Sequence, residues 1–142
     1  MTKILVSIKD TREASIIKDL SIDIIDLKEI SEPPMGFVGI KKIQDIKRII
    51  PNMTTSVTMG NSKNPYNKEI IEAANEAVSL GINYMKIGLF SESQIINHEK
   101  LLKEINLNGC NPICVILIDN ATDIGYLDRL CEIGYKGIML DT

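Results

Sequence analysis

Several polar side chains interrupt runs that are otherwise built for burial. In Ile22-Asp23-Ile24-Ile25-Asp26-Leu27-Lys28, the two-residue period of a strand puts Asp26 and Lys28 on one face. Lys86 sits inside Tyr84-Met85-Lys86-Ile87-Gly88-Leu89, and Asp141 ends Ile138-Met139-Leu140-Asp141. Ser7 lies in the first apolar run, and Ser56 and Thr58 share a face of another. A lysine in an apolar strand is costly unless paired, because burial disfavours its charged form. The same burial turns a lysine into a nucleophile or a proton shuttle. Asp26 beside Lys28 can hold the ammonium or accept a proton during imine formation. Two lysines and two aspartates converging on one mouth make an aldolase-type constellation. The plainer reading is strand-end charges paired for stability, with small hydroxyls that pack easily. Spacing alone identifies a polar mouth and no particular reaction. It also predicts that Lys86 faces the same interior as Lys28. Lys86→Met is then expected to leave folding largely intact, because it removes a buried charge and keeps much of the stem volume.

These residues need elements to position them. Short β-branched runs at Ile4–Ile8, Ile22–Leu27, Thr55–Met59, Tyr84–Leu89, Ile113–Ile118 and Gly137–Leu140 alternate with amphipathic segments. Several are apolar nearly throughout, as parallel strands buried on both faces are. Asp10 and Glu13 have capping-box spacing before Ala14, Ile17 and Leu20. Ile40 to Ile50 is stopped by Pro51. Ile70, Ile71, Ala74, Ala77 and Val78 form a stripe closed by Gly81. Ile95, Ile96, Leu101, Leu102 and Ile105 mark a fourth helix, and Ile124, Leu127, Leu130 and Cys131 a fifth that ends at Gly134. The β-α alternation implies a parallel sheet with right-handed crossovers. A barrel and an open doubly wound sheet both satisfy it. No GxGxxG or GxxxxGK[ST] follows the first strand, which weakens the nucleotide-binding form of the open sheet. The longest irregular stretches, Glu29–Gly39 and Gly60–Asn67, both follow strands. They suit loops over a site, or ordinary connections.

The chain has 142 residues, read as a single domain over 1–142, with 44% hydrophobic and 25% charged residues and a net charge of −3. Aromatics are 4% and Trp is absent, so Ile, Leu, Val and Met must build the core. The densest basic group, Lys41, Lys42, Lys47 and Arg48, shares helical spacing with isoleucines and reads as a solvated face. No nucleic-acid partner is expected. Apolar runs are too short for a membrane span, and the N-terminus reads as a strand, not a signal peptide. Cys110, Cys114 and Cys131 form no CxxC pair, which fits reduced thiols in a cytoplasm. His98 lies in a polar stretch with no second ligand at useful spacing. A surface role is expected for it, and no metal.

At Leu5-Val6-Ser7, Asp23 to Lys28, Ser56-Val57-Thr58-Met59-Gly60, Tyr84 to Leu89 and Met139-Leu140-Asp141-Thr142, the chain resembles the (5-formylfuran-3-yl)methyl phosphate synthases of methanofuran biosynthesis. The segments occur in that family's order and at similar spacing. The resemblance implies a (β/α)8 TIM-barrel type of fold, truncated here after the sixth strand. It implies a lyase that condenses two molecules of glyceraldehyde 3-phosphate to a phosphorylated furan aldehyde. By that resemblance Lys28 forms the Schiff base, Asp26 orients or deprotonates at that centre, and Lys86 serves in proton transfer or substrate positioning. Asp141, Ser7 and Thr58 would contact substrate. No metal or organic cofactor is implied. Other readings are another Schiff-base or decarboxylating sugar-phosphate barrel, or a truncated paralogue without catalysis.

The chain departs from the family pattern in the loop after Lys28 and at Asn61, where an acidic residue is usual. A further active-site lysine of the family would follow Thr142, as would the last two strands of a barrel. Six strands leave the first and last without neighbours. The chain is therefore expected to be inactive alone, and to self-associate, pair with a complementing C-terminal chain or rearrange its ends.

Overall fold

A computed structural model describes residues 1–120 and 123–142. Its strands are β1 (Leu5–Ile8), β2 (Ile24–Leu27), β3 (Thr55–Thr58), β4 (Tyr84–Leu89), β5 (Asn111–Leu117) and β6 (Gly137–Asp141). Between them run α1 (Thr11–Ile17), α2 (Ile40–Ile49), α3 (Lys68–Ser79), α4 (Ile95–Glu104) and α5 (Leu127–Glu132). All neighbouring strands are parallel, and their spatial order is β1-β2-β3-β4-β5-β6. An open doubly wound sheet reverses its strand order at a switch point, and this sheet does not. The molecule is a half-barrel of the TIM type.

Local signals mark the helix ends. The Asp10 carboxylate accepts from the Glu13 N–H at 2.9 Å, while Glu13 reaches back to the Lys9 N–H at 2.8 Å. That reciprocal satisfaction of orphan donors starts α1. Asn67 caps α3 in the same way, accepting from the Ile70 N–H at 3.0 Å. Gly81 follows α3 at φ +83°, a left-handed C′ position that suits glycine. Ile50 and Pro51 end α2. Its basic face is solvated and ion-paired: Lys41 and Arg48 meet Asp45 at 2.9 and 3.1 Å. Most strand boundaries differ from the sequence expectation by one or two residues. In α5 only Leu130 is buried; Ile124 precedes the helix and Cys131 is exposed, so the expected apolar stripe is much reduced.

The outer sheet face carries Ile25, Leu27, Val57, Met85, Ile87, Leu89, Cys114 and Ile116 into a core with Ile43, Ile46, Ala74, Ala77, Leu101 and Leu130 from the helices. The central strands are buried on both faces. The edge strands are not: Leu5 of β1 is 40% exposed and Leu140 of β6 is 58% exposed. Among the described residues each lacks a strand neighbour on its outer side.

His98 overturns its expected surface role. It is fully buried in α4, with Nδ1 hydrogen-bonded to the buried Tyr135 hydroxyl. The missed signal was periodicity, since Ile95, His98, Leu101 and Leu102 share one helical face. Among the described residues Nε2 has no partner of normal hydrogen-bond geometry. Burial pushes the pKa of His98 down to about 4, against a smaller upward pull from the Gly88 backbone. The ordinary value is 6.5, so the unfolded chain binds the extra proton first as pH falls. This contribution to stability is complete above pH ~6.5 and declines progressively toward pH ~4. Urea titrations should show a loss of about 2 kcal/mol between pH 7 and pH 5 from this group. His98→Gln should flatten that slope. An unchanged slope in the variant would assign the acid sensitivity elsewhere.

Candidate active site on the inner sheet face

The parallel register decides which inner-face residues meet. Ser7 is opposite Asp26, and Asp26 is opposite Ser56. In-register residues project to the same side, so both hydroxyls face the carboxylate. Ser56 Oγ donates to Asp26 Oδ1 at 2.6 Å and Ser7 Oγ to Oδ2 at 3.2 Å. Lys86 Nζ donates to Oδ2 at 2.6 Å. The Asp26 and Lys86 side chains are only 1% and 6% exposed. Removal from water strengthens their attraction and makes loss of either partner expensive. Asp26 therefore pairs with Lys86, where sequence proximity had suggested Lys28. The two-residue period gives Asp26 and Lys28 a common face, but the strand rise keeps their charged ends at different levels.

Lys28 follows the end of β2 and faces Asp141 at the end of β6, 3.9 Å away. Their side chains are 23% and 35% exposed, so the contact is loose and wet. The inner face thus holds a tight buried Lys86–Asp26 pair and an open Lys28–Asp141 pair at the mouth. Thr58, expected to touch substrate, is buried, and its hydroxyl donates to the Leu27 carbonyl at 3.2 Å. Lys86 also borders a cleft of about 290 Å³ on the inner face, beside Ser56, Tyr84, Ile113 and Met139.

The two buried cysteines do not compete for the nucleophile's role here. Burial pushes Cys110 up to about 11 and Cys114 up to about 12, so both are protonated thiols at neutral pH. All three cysteines are free. Among the described residues no three His, Cys, Asp or Glu side chains are grouped to hold a metal ion. No helix among them is long and apolar enough to cross a membrane.

Sequence reasoning singled out Ser56 but gave it no role; only the register reveals its bond to Asp26. It also missed Met35 and Phe90. Met35 leaves the loop after β2 and is buried with Val115 and Leu117, and Phe90 and Met139 pack against that cluster. A lone methionine between prolines and glycines carries no periodic signal. The loop's first residue, Glu29, is held down at about 2, first by the Ser31 backbone N–H and then by Lys42 and the Ser31 hydroxyl.

A family model described as 4-HFC-P synthase matches residues 4–142. No curated protein matches the chain in sequence. Among solved structures, an inosine 5′-monophosphate dehydrogenase from Legionella pneumophila superposes with a TM-score of 0.64 at 12% identity. The match covers 98% of this chain and 43% of that one. At that identity the likeness shows the fold alone.

Proposed function

This chain belongs to the 4-HFC-P synthase family, and from that premise we propose that it uses Lys28 to condense triose phosphates in methanofuran biosynthesis. The observation that carries the reading is the pair of lysine–aspartate couples on one inner face, one sealed and one open. The neutral Lys28 amine attacks the carbonyl carbon of glyceraldehyde 3-phosphate, a C–N bond forms, and the carbonyl oxygen leaves as water. Asp141, within reach of Lys28, takes and returns the amine proton. Lys86, anchored by Asp26 and backed by Ser7 and Ser56, delivers protons to oxygens that leave or change charge. Two glyceraldehyde 3-phosphates become one furan aldehyde phosphate by losing one phosphate and two waters. The reaction class is a carbon–oxygen lyase.

The open edges of β1 and β6 support a second element of the proposal. The reading is that this half-barrel works with further β/α units that pair with those edges. Light scattering after size exclusion, run beside an ultraviolet assay for the furan aldehyde, tests both elements. The chain alone should run above its 15.8 kDa monomer mass and make no product. With units that complete the sheet, product should form from glyceraldehyde 3-phosphate. A 15.8 kDa monomer that turns over unaided removes the need for a partner. A completed barrel that makes no furan removes the proposed activity.

A further inference from the structure

The parallel register sorts the inner face into levels. Lys86 of β4 lies beside Ile113 of β5, which lies beside Gly137 of β6. One inner position nearer the mouth, Gly88 lies beside Val115, and Val115 beside Met139. At the next level Leu117 lies beside Asp141, which meets Lys28 at the mouth. One level of side chains therefore separates the sealed couple from the open one. Met35 fills that level. It is 1% exposed and packed with Val115 and Leu117, and Phe90 and Met139 lie against them. Gly88 makes its seat: a Cβ there would lie 3.2 Å from Met35 Cγ. The cleft that Lys86 borders includes Lys3, Leu5, Ile24, Tyr84 and Gly137, from the starts of the strands. Lys86 thus meets open space at the end of the sheet away from the mouth, and Met35 stands on its mouth side.

A loop, and no strand, delivers this side chain. The Glu29 N–H donates to the Gly36 carbonyl at 3.0 Å, so residues 29–36 form a closed turn. A Cβ at Gly36 would lie 2.1 Å from the Glu29 carbonyl oxygen, so only glycine permits that closure. Asn61, at the start of the loop after β3, holds the turn down. Its Oδ1 accepts from the Met35 N–H at 3.1 Å, and its Nδ2 donates to the Glu32 carbonyl at 2.8 Å. The opposite side of the turn is open, with Ile30 58% exposed. Val38, just beyond the turn, returns to the main core, whereas Met35 belongs to a small separate cluster. The turn can leave its seat without breaking the core that holds the sheet.

We propose that Met35 is an autoinhibitory plug, latched by Asn61, whose withdrawal joins the Lys86–Asp26 couple to the mouth. Its meaning for catalysis rests on the imine reading above, in which a proton from Lys86 reaches a substrate held on Lys28. With Met35 seated, that transfer is blocked at the level of Gly88, Val115 and Met139. With the turn lifted, the space left by the thioether connects the two couples.

Hydrogen peroxide converts an accessible methionine to its sulfoxide, and peptide mass spectrometry reads the rate at each site of the folded 142-residue chain. Met35 and Met85 are hidden alike, at 1% and 0% exposure, and Met85 belongs to the main core. Static burial gives them equal rates, whereas a plug that lifts on its own makes Met35 oxidise faster by about tenfold or more. Asn61→Ala removes both latch bonds and should raise the Met35 rate roughly tenfold further while leaving Met85 unchanged. Lysine acetylation by acetic anhydride, read in the same way, reports what the plug covers. Met35→Ala should raise the acetylation of Lys86 severalfold against that of Lys28, and Asn61→Ala carries the same comparison if Met35→Ala does not fold. Met35 oxidising no faster than Met85, in wild type and Asn61→Ala alike, means that the turn leaves only when the fold does, and overturns the plug. Acetylation of Lys86 that is unmoved in the folded variants shows that Lys86 is reached from the strand starts, and overturns the gating role. Neither measurement uses an aldehyde, so failure of the plug is distinct from failure of imine capture at Lys28.

Discussion

Lys86→Met should destabilise the fold by about 3–5 kcal/mol in urea denaturation, the cost of leaving one member of a buried ion pair alone. This reverses the expectation from sequence, in which the substitution only removed a buried charge. The reversal comes from Asp26, whose carboxylate is 1% exposed and 2.6 Å from the ammonium. Without Lys86 the carboxylate keeps only the Ser7 and Ser56 hydroxyls. It must then stay charged without a counterion or take up a proton. Both routes cost stability. The double variant Asp26→Leu/Lys86→Met should recover most of the loss, since apolar replacement of a whole buried pair is often neutral or better. A double-mutant cycle measures the coupling. Additive single and double effects would show that the pair does not support the fold. In a completed barrel both variants should also fail to make the furan product, which separates the stability role from the proposed proton-transfer role once the double variant folds.

Lys28→Ala should remove borohydride capture of glyceraldehyde 3-phosphate down to background while barely changing stability. The Lys28–Asp141 contact is 3.9 Å long and partly exposed, so its loss costs about 1 kcal/mol or less. The two lysines thus have opposite signatures, Lys86 structural and chemical together, Lys28 chemical alone. Asp141→Asn should slow capture without abolishing it, because the nucleophile remains. A reduced adduct that persists in Lys28→Ala and maps to Lys86 would exchange their roles. Such an exchange would require the Asp26–Lys86 bond to open, which the destabilisation measured in the first experiment would also report.

Much of the fold was legible locally. The β4 boundaries, the capped start at Asp10 and Glu13, and the stop at Gly81 follow from residue types whose backbone preferences act within a few positions. So does the presence of Lys86 and Asp26 on inward positions, because side-chain alternation along a strand is itself local. The family segments are likewise contiguous, and the match over residues 4–142 agrees with them. His98 was legible too, through its spacing from Ile95 and Leu102, but its polarity outweighed its period in the reading.

What the amino-acid sequence determined by itself was therefore the type and order of elements and the face each polar residue occupies. The tertiary structure decided the rest. It chose a consecutive strand order over a reversed one, because that depends on how each helix crosses to the next strand. It gave Asp26 to Lys86, because strand register and twist, not distance along one strand, set which charged ends converge. It seated Met35 over Gly88, because two loops lock together only once β2 and β3 lie side by side. Each of those choices rests on contacts between residues far apart in the chain. No local spacing encodes such contacts until the sheet has assembled.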